Sequence, residues 1–214
     1  MSPSLPLAFD ADPALVSHLE LLLRYDRSAV VRLCADRAAG SGLSVFGSPP
    51  FGVVSWLRVP LAEPVDVDTT VAVGPLLAAV TTGGPVRSPD PVTGPPWTGL
   101  LPPTTGWQPL AELASEDVVR QVLAGVAEFR ARWDGLGPEQ RSSRVGQQLA
   151  DEIWGRALTA EVAELPLRAG HAAHAFGLLR PGEPVRLSGV GRWWLLTGTD
   201  GSVAVRRPGG LRLA

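Results

Sequence analysis

Apolar residues recur at Leu15, Val16, Leu19, Leu22 and Leu23, the spacing of one helix face. Asp12 followed by Pro13 supplies an N-cap and a first-turn proline, so a helix is predicted over 13–25. The period then changes. Valine-rich runs at 28–37, 42–47 and 53–60 are separated by AAGSG and SPPFG, both breaker sequences. Over 65–73 the pattern alternates: Val65, Val67, Thr69, Val71 and Val73 on one side, Asp66, Asp68, Thr70 and Ala72 on the other. That is the signature of a strand with one dry and one wet face. Gly74-Pro75 opens a short helix, PLLAAV, so residues 13–80 read α-β-β-β-β-α. The connections are short, which favours antiparallel hairpins.

From 81 to 109 periodicity vanishes into Pro, Gly and Thr, with Trp97 and Trp107 embedded. The composition is that of a linker, but two tryptophans suit an extended segment anchored to a surface. Helical spacing returns with Val118, Val119, Val122, Val126 and Phe129, behind Ser115 as cap and Glu116 and Asp117 in the first turn. Pro138 opens a second helix running to Leu158, and Leu165-Pro166 a third that stops at Pro181-Gly182. Three short strands close the chain at 185–189, 192–198 and 202–207, and Asp200-Gly201 predicts a type I′ hairpin turn.

The fold class that follows is α+β: an antiparallel β-sheet with flanking helices, then a helical layer ending in a β-meander. Three parts are expected: an α/β-meander subdomain over 1–81, a Pro/Gly/Trp-rich connecting segment over 82–109, and a helical subdomain with a C-terminal three-stranded meander over 110–214.

Composition narrows the chemistry. The 214 residues are 45% hydrophobic and 19% charged, a globular balance. No run approaches the ~20 apolar residues of a membrane span, and the N-terminus has no basic residue before a hydrophobic stretch. The expectation is a cytoplasmic protein with no membrane partner. All 19 basic residues are arginine, and neither lysine nor asparagine occurs. That excludes a Schiff-base lysine, a phosphate loop of the GxxxxGK[ST] type and an SxxK pair. A net charge of −2 argues against nucleic acid as partner. Cys34 is the only cysteine, so internal disulfides and cysteine zinc sites are excluded. No dinucleotide fingerprint and no GxSxG elbow occurs, and no cofactor is expected.

The remaining polar candidates are few. His171 and His174 lie three apart on one predicted helix face, a spacing used by metal sites. Zinc needs further ligands, for which Glu164, Asp151 or Glu152 could serve. The face also carries Leu167 and Leu178, with Ala169, Ala172, Ala173 and Phe176 close by, so the pair reads first as histidines at a core edge. The alternative is a polar ligand pocket that adds Arg141 and Arg144 of RSSR, whose guanidinium groups suit phosphate or carboxylate. Asp66 and Asp68 could hold a divalent ion but suit a solvated strand face.

Seven tryptophans are the richest feature. Trp193 and Trp194 are adjacent in a predicted strand and must point to opposite faces. Tryptophan is enriched at binding hot spots. Trp97, Trp107, Trp193 and Trp194 are therefore the candidate interaction residues.

The phrases YDRSAVVRLCA, SPPFGVVSWLRVPLAEP, WTGLLPPTTGW, AAHAFGLL and GRWWLLTGTDGSVAVRR run through nearly the whole chain. Together they resemble an uncharacterised conserved family of proteins from GC-rich actinobacteria. The resemblance implies origin and cytoplasmic character but no activity. The expectation from the residues themselves is a non-catalytic interaction or scaffold protein acting on a protein partner or on itself, as a homodimer. The alternative is a small-molecule-binding protein or enzyme with a polar pocket near His171 and His174.

Overall fold

The computed structural model describes residues 6–7, 12–82, 86–92, 99–160, 162 and 164–207. The chain forms two compact units. The first comprises Met1–Thr105 with Asp200–Ser202, the second Gly106–Thr199 with Val203–Ala214.

In the first unit, β1 (Pro6–Leu7) pairs antiparallel with β6 (Val86–Arg87) in a short ribbon. Helix α1 (Pro13–Tyr25) starts where the cap predicts: the Asp12 carboxylate accepts the Ala14 N–H at 2.8 Å. Its inner face buries Leu15, His18, Leu19 and Leu22. Burial of each leucine contributes about 1.5–3 kcal/mol. Strands β2 (Val30–Ala35), β3 (Gly42–Gly47), β4 (Val54–Pro60) and β5 (Val67–Ala72) follow, in the order β5-β2-β3-β4, all antiparallel. Helix α2 (Val73–Thr81) completes the predicted α-β-β-β-β-α and packs beside α1. Val31, Leu33, Leu43, Val45, Leu57, Val59 and Val71 share one sheet face, and all are buried.

The strand predicted over 65–73 is shorter at both ends, because Val73 already opens α2. Its polar side is not simply wet. Asp68 pairs with Arg32 of β2 at 2.7 Å, and Arg32 also donates to Thr70 Oγ1 at 3.0 Å. The β5 edge is covered by a bridge from Val71 to Pro91 and by the Val92 N–H donating to the Thr70 carbonyl.

The second unit does not open with a helix, as the sequence suggests. It opens with a strand, β7 (Gln108–Ala114), followed by α3 (Ser115–Asp134), α4 (Ser143–Trp154), α5 (Leu167–Ala175), β8 (Pro184–Val190), β9 (Trp193–Gly198) and β10 (Gly201–Arg206). The strand order is β10-β9-β8-β7, so β7 is an edge. QPLAELA lacks β-branched residues, and register with β8 makes it a strand.

Three helix ends differ from expectation. The Ser115 hydroxyl donates to the Glu183 carbonyl instead of capping α3, and Glu116 accepts the Gly182 N–H at 2.5 Å. The cap of α4 is Ser142, which accepts the Val145 N–H at 3.3 Å, so the helix starts later than Pro138. Helix α5 ends before Gly177, whose φ of 70° is the left-handed stop that glycine permits, and does not run on to Pro181. The final hairpin is present, but its turn residues are Thr199 and Asp200, and no non-glycine residue among those described has positive φ. A type I′ turn needs positive φ at both central positions, so the Asp200-Gly201 turn type is not adopted.

Among the described residues no helix is long and apolar enough to cross a membrane.

Candidate functional site

The two-residue turn fixes which side chains meet across β9 and β10. The Arg207 N–H donates to the Arg192 carbonyl at 2.8 Å. Counting inward, Trp193 stands opposite Arg206. The Arg206 guanidinium carbon lies 6.0 Å from the Trp193 ring centre. The Arg207 guanidinium lies closer, 4.2 Å over the Trp194 ring. Adjacent tryptophans on opposite faces are thus each capped by one of two adjacent arginines, a cation–π arrangement on both sides of one hairpin.

Their burial differs. Trp194 is 6% exposed, on the face that carries Val185, Leu187 and Leu196, all buried. Trp193 is half-buried and pairs in register with Val190 of β8. Trp107 directly precedes β7, whose first residue Gln108 pairs with Gly189. Gly106, the residue before Trp107, lies against Val190: a Cβ added there would be 3.6 Å from Val190 Cγ2. Trp107, Val190 and Trp193 are each half-buried, and Arg206 beside them is exposed. Trp97 lies outside the described residues.

The other candidates sit elsewhere. The His171 ring stacks on Trp154 at 4.3 Å, with planes 8° apart, tying α5 to α4. Burial lowers its pKa, and the neighbouring His174 lowers it further. His174 is exposed. Of the three candidate carboxylates, Asp151 lies 4.0 Å from Arg168, Glu152 joins a four-membered network between α3 and the end of α4, and Glu164 is exposed. In that network Arg132 and Arg156 each contact both Glu128 and Glu152 at 2.6–3.3 Å. Arg132 and Arg156 hold the Glu152 carboxyl down at about 2. Arg141 donates to the Asp134 carbonyl at 2.9 Å, and Arg144 is exposed. No group of three metal-ligating side chains occurs among the described residues.

The first unit holds the remaining reactive groups. Burial and the neighbouring Asp68 push the Cys34 thiol up to about 11, so little thiolate exists at neutral pH. His18 is buried, with Nε2 3.1 Å from Ser55 Oγ, and burial pushes it down to about 4. A cavity of about 370 Å³ opens where α1 ends, lined by Leu22, Tyr25, Asp26, Ser28, Pro49 and Pro50 among others.

Only the alternation was within reach of the sequence. The two-residue turn at Thr199-Asp200, which sets Trp193 opposite Arg206, lies one residue before the Asp200-Gly201 turn that the sequence suggests. The adjacent arginines 206 and 207 alternate faces for the same reason that the tryptophans do.

Residues 102–210 match the model of a domain of unknown function (DUF8185). The chain belongs to the DUF8185 family. Residues 5–99 match a second domain of unknown function, DUF8010. The whole Trp–Arg hairpin therefore lies in the DUF8185 region, whereas Cys34, His18 and the cavity lie in the DUF8010 region. No curated protein matches the chain. The family fixes kinship without assigning chemistry to either region.

Proposed function

We propose that this DUF8185 protein is a non-catalytic interaction protein that self-associates as a homodimer through the half-buried row Trp107, Val190 and Trp193. The observation that carries the reading is the row itself: large apolar side chains left partly wet at one end of a sheet, flanked by the exposed cation Arg206. Tryptophan beside arginine is the composition of a hot spot. A two-fold axis across the row sets the same patch against itself, as an isologous dimer requires.

Strand addition at β7 does not suit the dimer. That edge carries Pro109, which lacks an N–H, a register shift between Pro109 and Ala111, and the charge of Glu112. These are devices that blunt an edge. Face-on packing of the aromatic row remains. The reading also includes a cytoplasmic location and an actinobacterial origin; the lysine-free, arginine-only alphabet supports only a GC-rich genome.

Sedimentation of wild type and Trp193→Ala over a range of concentrations tests the proposal. A dimer that dissociates in the variant is expected. A dimer that survives the substitution unchanged rules this surface out.

A further inference from the structure

We infer that the opposite side of the same hairpin, built from Arg192, Arg207, Trp194 and Leu110, is a clamp for an acidic, apolar-flanked segment of a protein partner. The inference rests on the reading of the protein as an interaction module but uses a different face.

Five observations converge there. Arg192 and Arg207 are joined by a main-chain hydrogen bond across the hairpin, so two like charges are cross-strand neighbours. Directly opposed like charges destabilise a strand pair. Neither guanidinium has a carboxylate partner among the described residues, a state they share with Arg24, Arg27 and Arg206 but not with Arg32, Arg132 or Arg156. Arg207 is also held rigidly: its guanidinium stacks 4.2 Å over Trp194. The buried Arg207 Nε and Trp194 Nε1 find no hydrogen-bond partner among the described residues. Burying such donors unpaired is costly; the Arg207 Nη atoms, which close with Leu110 over Gly189, are the ones that meet an anion. Finally, the cation has an apolar neighbour. A Cβ added at Gly189 would lie 2.8 Å from Leu110 Cδ1 and 2.9 Å from Arg207 Nη2, so both side chains close over this one glycine. Leu110, the residue at the β7 bulge, is 50% exposed.

The chemistry selects the occupant. A planar guanidinium with no carboxylate against it among the described residues suits a carboxylate bidentately, and exposed Leu110 suits an apolar side chain next to it. A nucleic acid would need a broad positive field, whereas the chain as a whole carries −2. A protein segment in which Asp or Glu alternates with Leu or a similar residue fits both halves.

An array of short immobilised peptides tests this, pairing each Glu–Leu sequence with its Gln–Leu counterpart and adding a single-stranded oligonucleotide of equal charge. Wild type, Arg207→Gln, Arg192→Gln and, as a charge control in the first unit, Arg24→Gln/Arg27→Gln are compared after their circular dichroism is shown to be unchanged. Arg192 is exposed and serves if Arg207→Gln unfolds. Retention of Glu over Gln peptides by about tenfold or more is expected, lost in both clamp variants and kept in the control. Equal retention of Glu and Gln peptides, retention untouched by both clamp variants, or stronger binding of the oligonucleotide overturns the inference. Oligomeric mass measured on the same samples separates this outcome from failure of the dimer, because the clamp variants leave Trp193 intact.

Discussion

His18 Nε2 lies 3.1 Å from Ser55 Oγ inside the core of the first unit, joining α1 to β4. The imidazole has no room for charge. Burial lowers its pKa from 6.5 to about 4, so the folded state binds fewer protons than the unfolded chain between those values. Stability from this residue is complete above the unfolded pKa and is lost as pH falls from 6.5 toward 4, by roughly 3 kcal/mol in all. Urea midpoints of the first unit are expected to fall steeply over that window in wild type. In His18→Gln they should follow a shallower line, even though the variant is weaker at neutral pH.

Cys34 is a structural thiol on this account. Held near 11, it should react with iodoacetamide at pH 8 about a hundredfold more slowly in the native protein than in urea. A native rate near that of the unfolded chain would mean that the Asp68–Cys34 side of the sheet is not as described.

Gly198 has no space for a side chain, since an added Cβ would lie 2.2 Å from the Leu178 carbonyl oxygen. Backbone must move to admit it, so Gly198→Ala is expected to cost at least about 1–3 kcal/mol in thermal or chemical unfolding. Gly125→Ala should cost less, because its closest obstacles are side-chain atoms of Leu167 and Trp154 at 2.9 and 3.1 Å. Equal losses would contradict the packing.

The ion network of Glu128, Arg132, Glu152 and Arg156 is exposed and should yield to salt. Glu152→Gln is expected to lower the melting temperature slightly at low ionic strength. The loss should disappear near 1 M salt, where screening acts within about 3 Å.

How far the sequence reached can be seen element by element. Helix α1 was legible because cap, proline and leucine spacing all agree, and β2 to β5 because valine runs end at glycine and proline. Strand β7 was not, since QPLAELA carries helix-forming residues and becomes a strand only through its pairing with β8. The stop of α5 at Gly177 was hidden because apolar residues continue to Leu179. At the candidate site, the opposition of Trp193 and Trp194 was legible from alternation. The arginines that cap them needed the turn length, which Asp200-Gly201 misassigns by one residue.

The central claim concerns contact, and molar mass tests it most directly. Light scattering at about 100 μM protein, well above a micromolar dissociation constant, should give twice 22.5 kDa for wild type and the single-chain mass for Trp193→Ala. A wild-type mass of 22.5 kDa under those conditions would contradict the account.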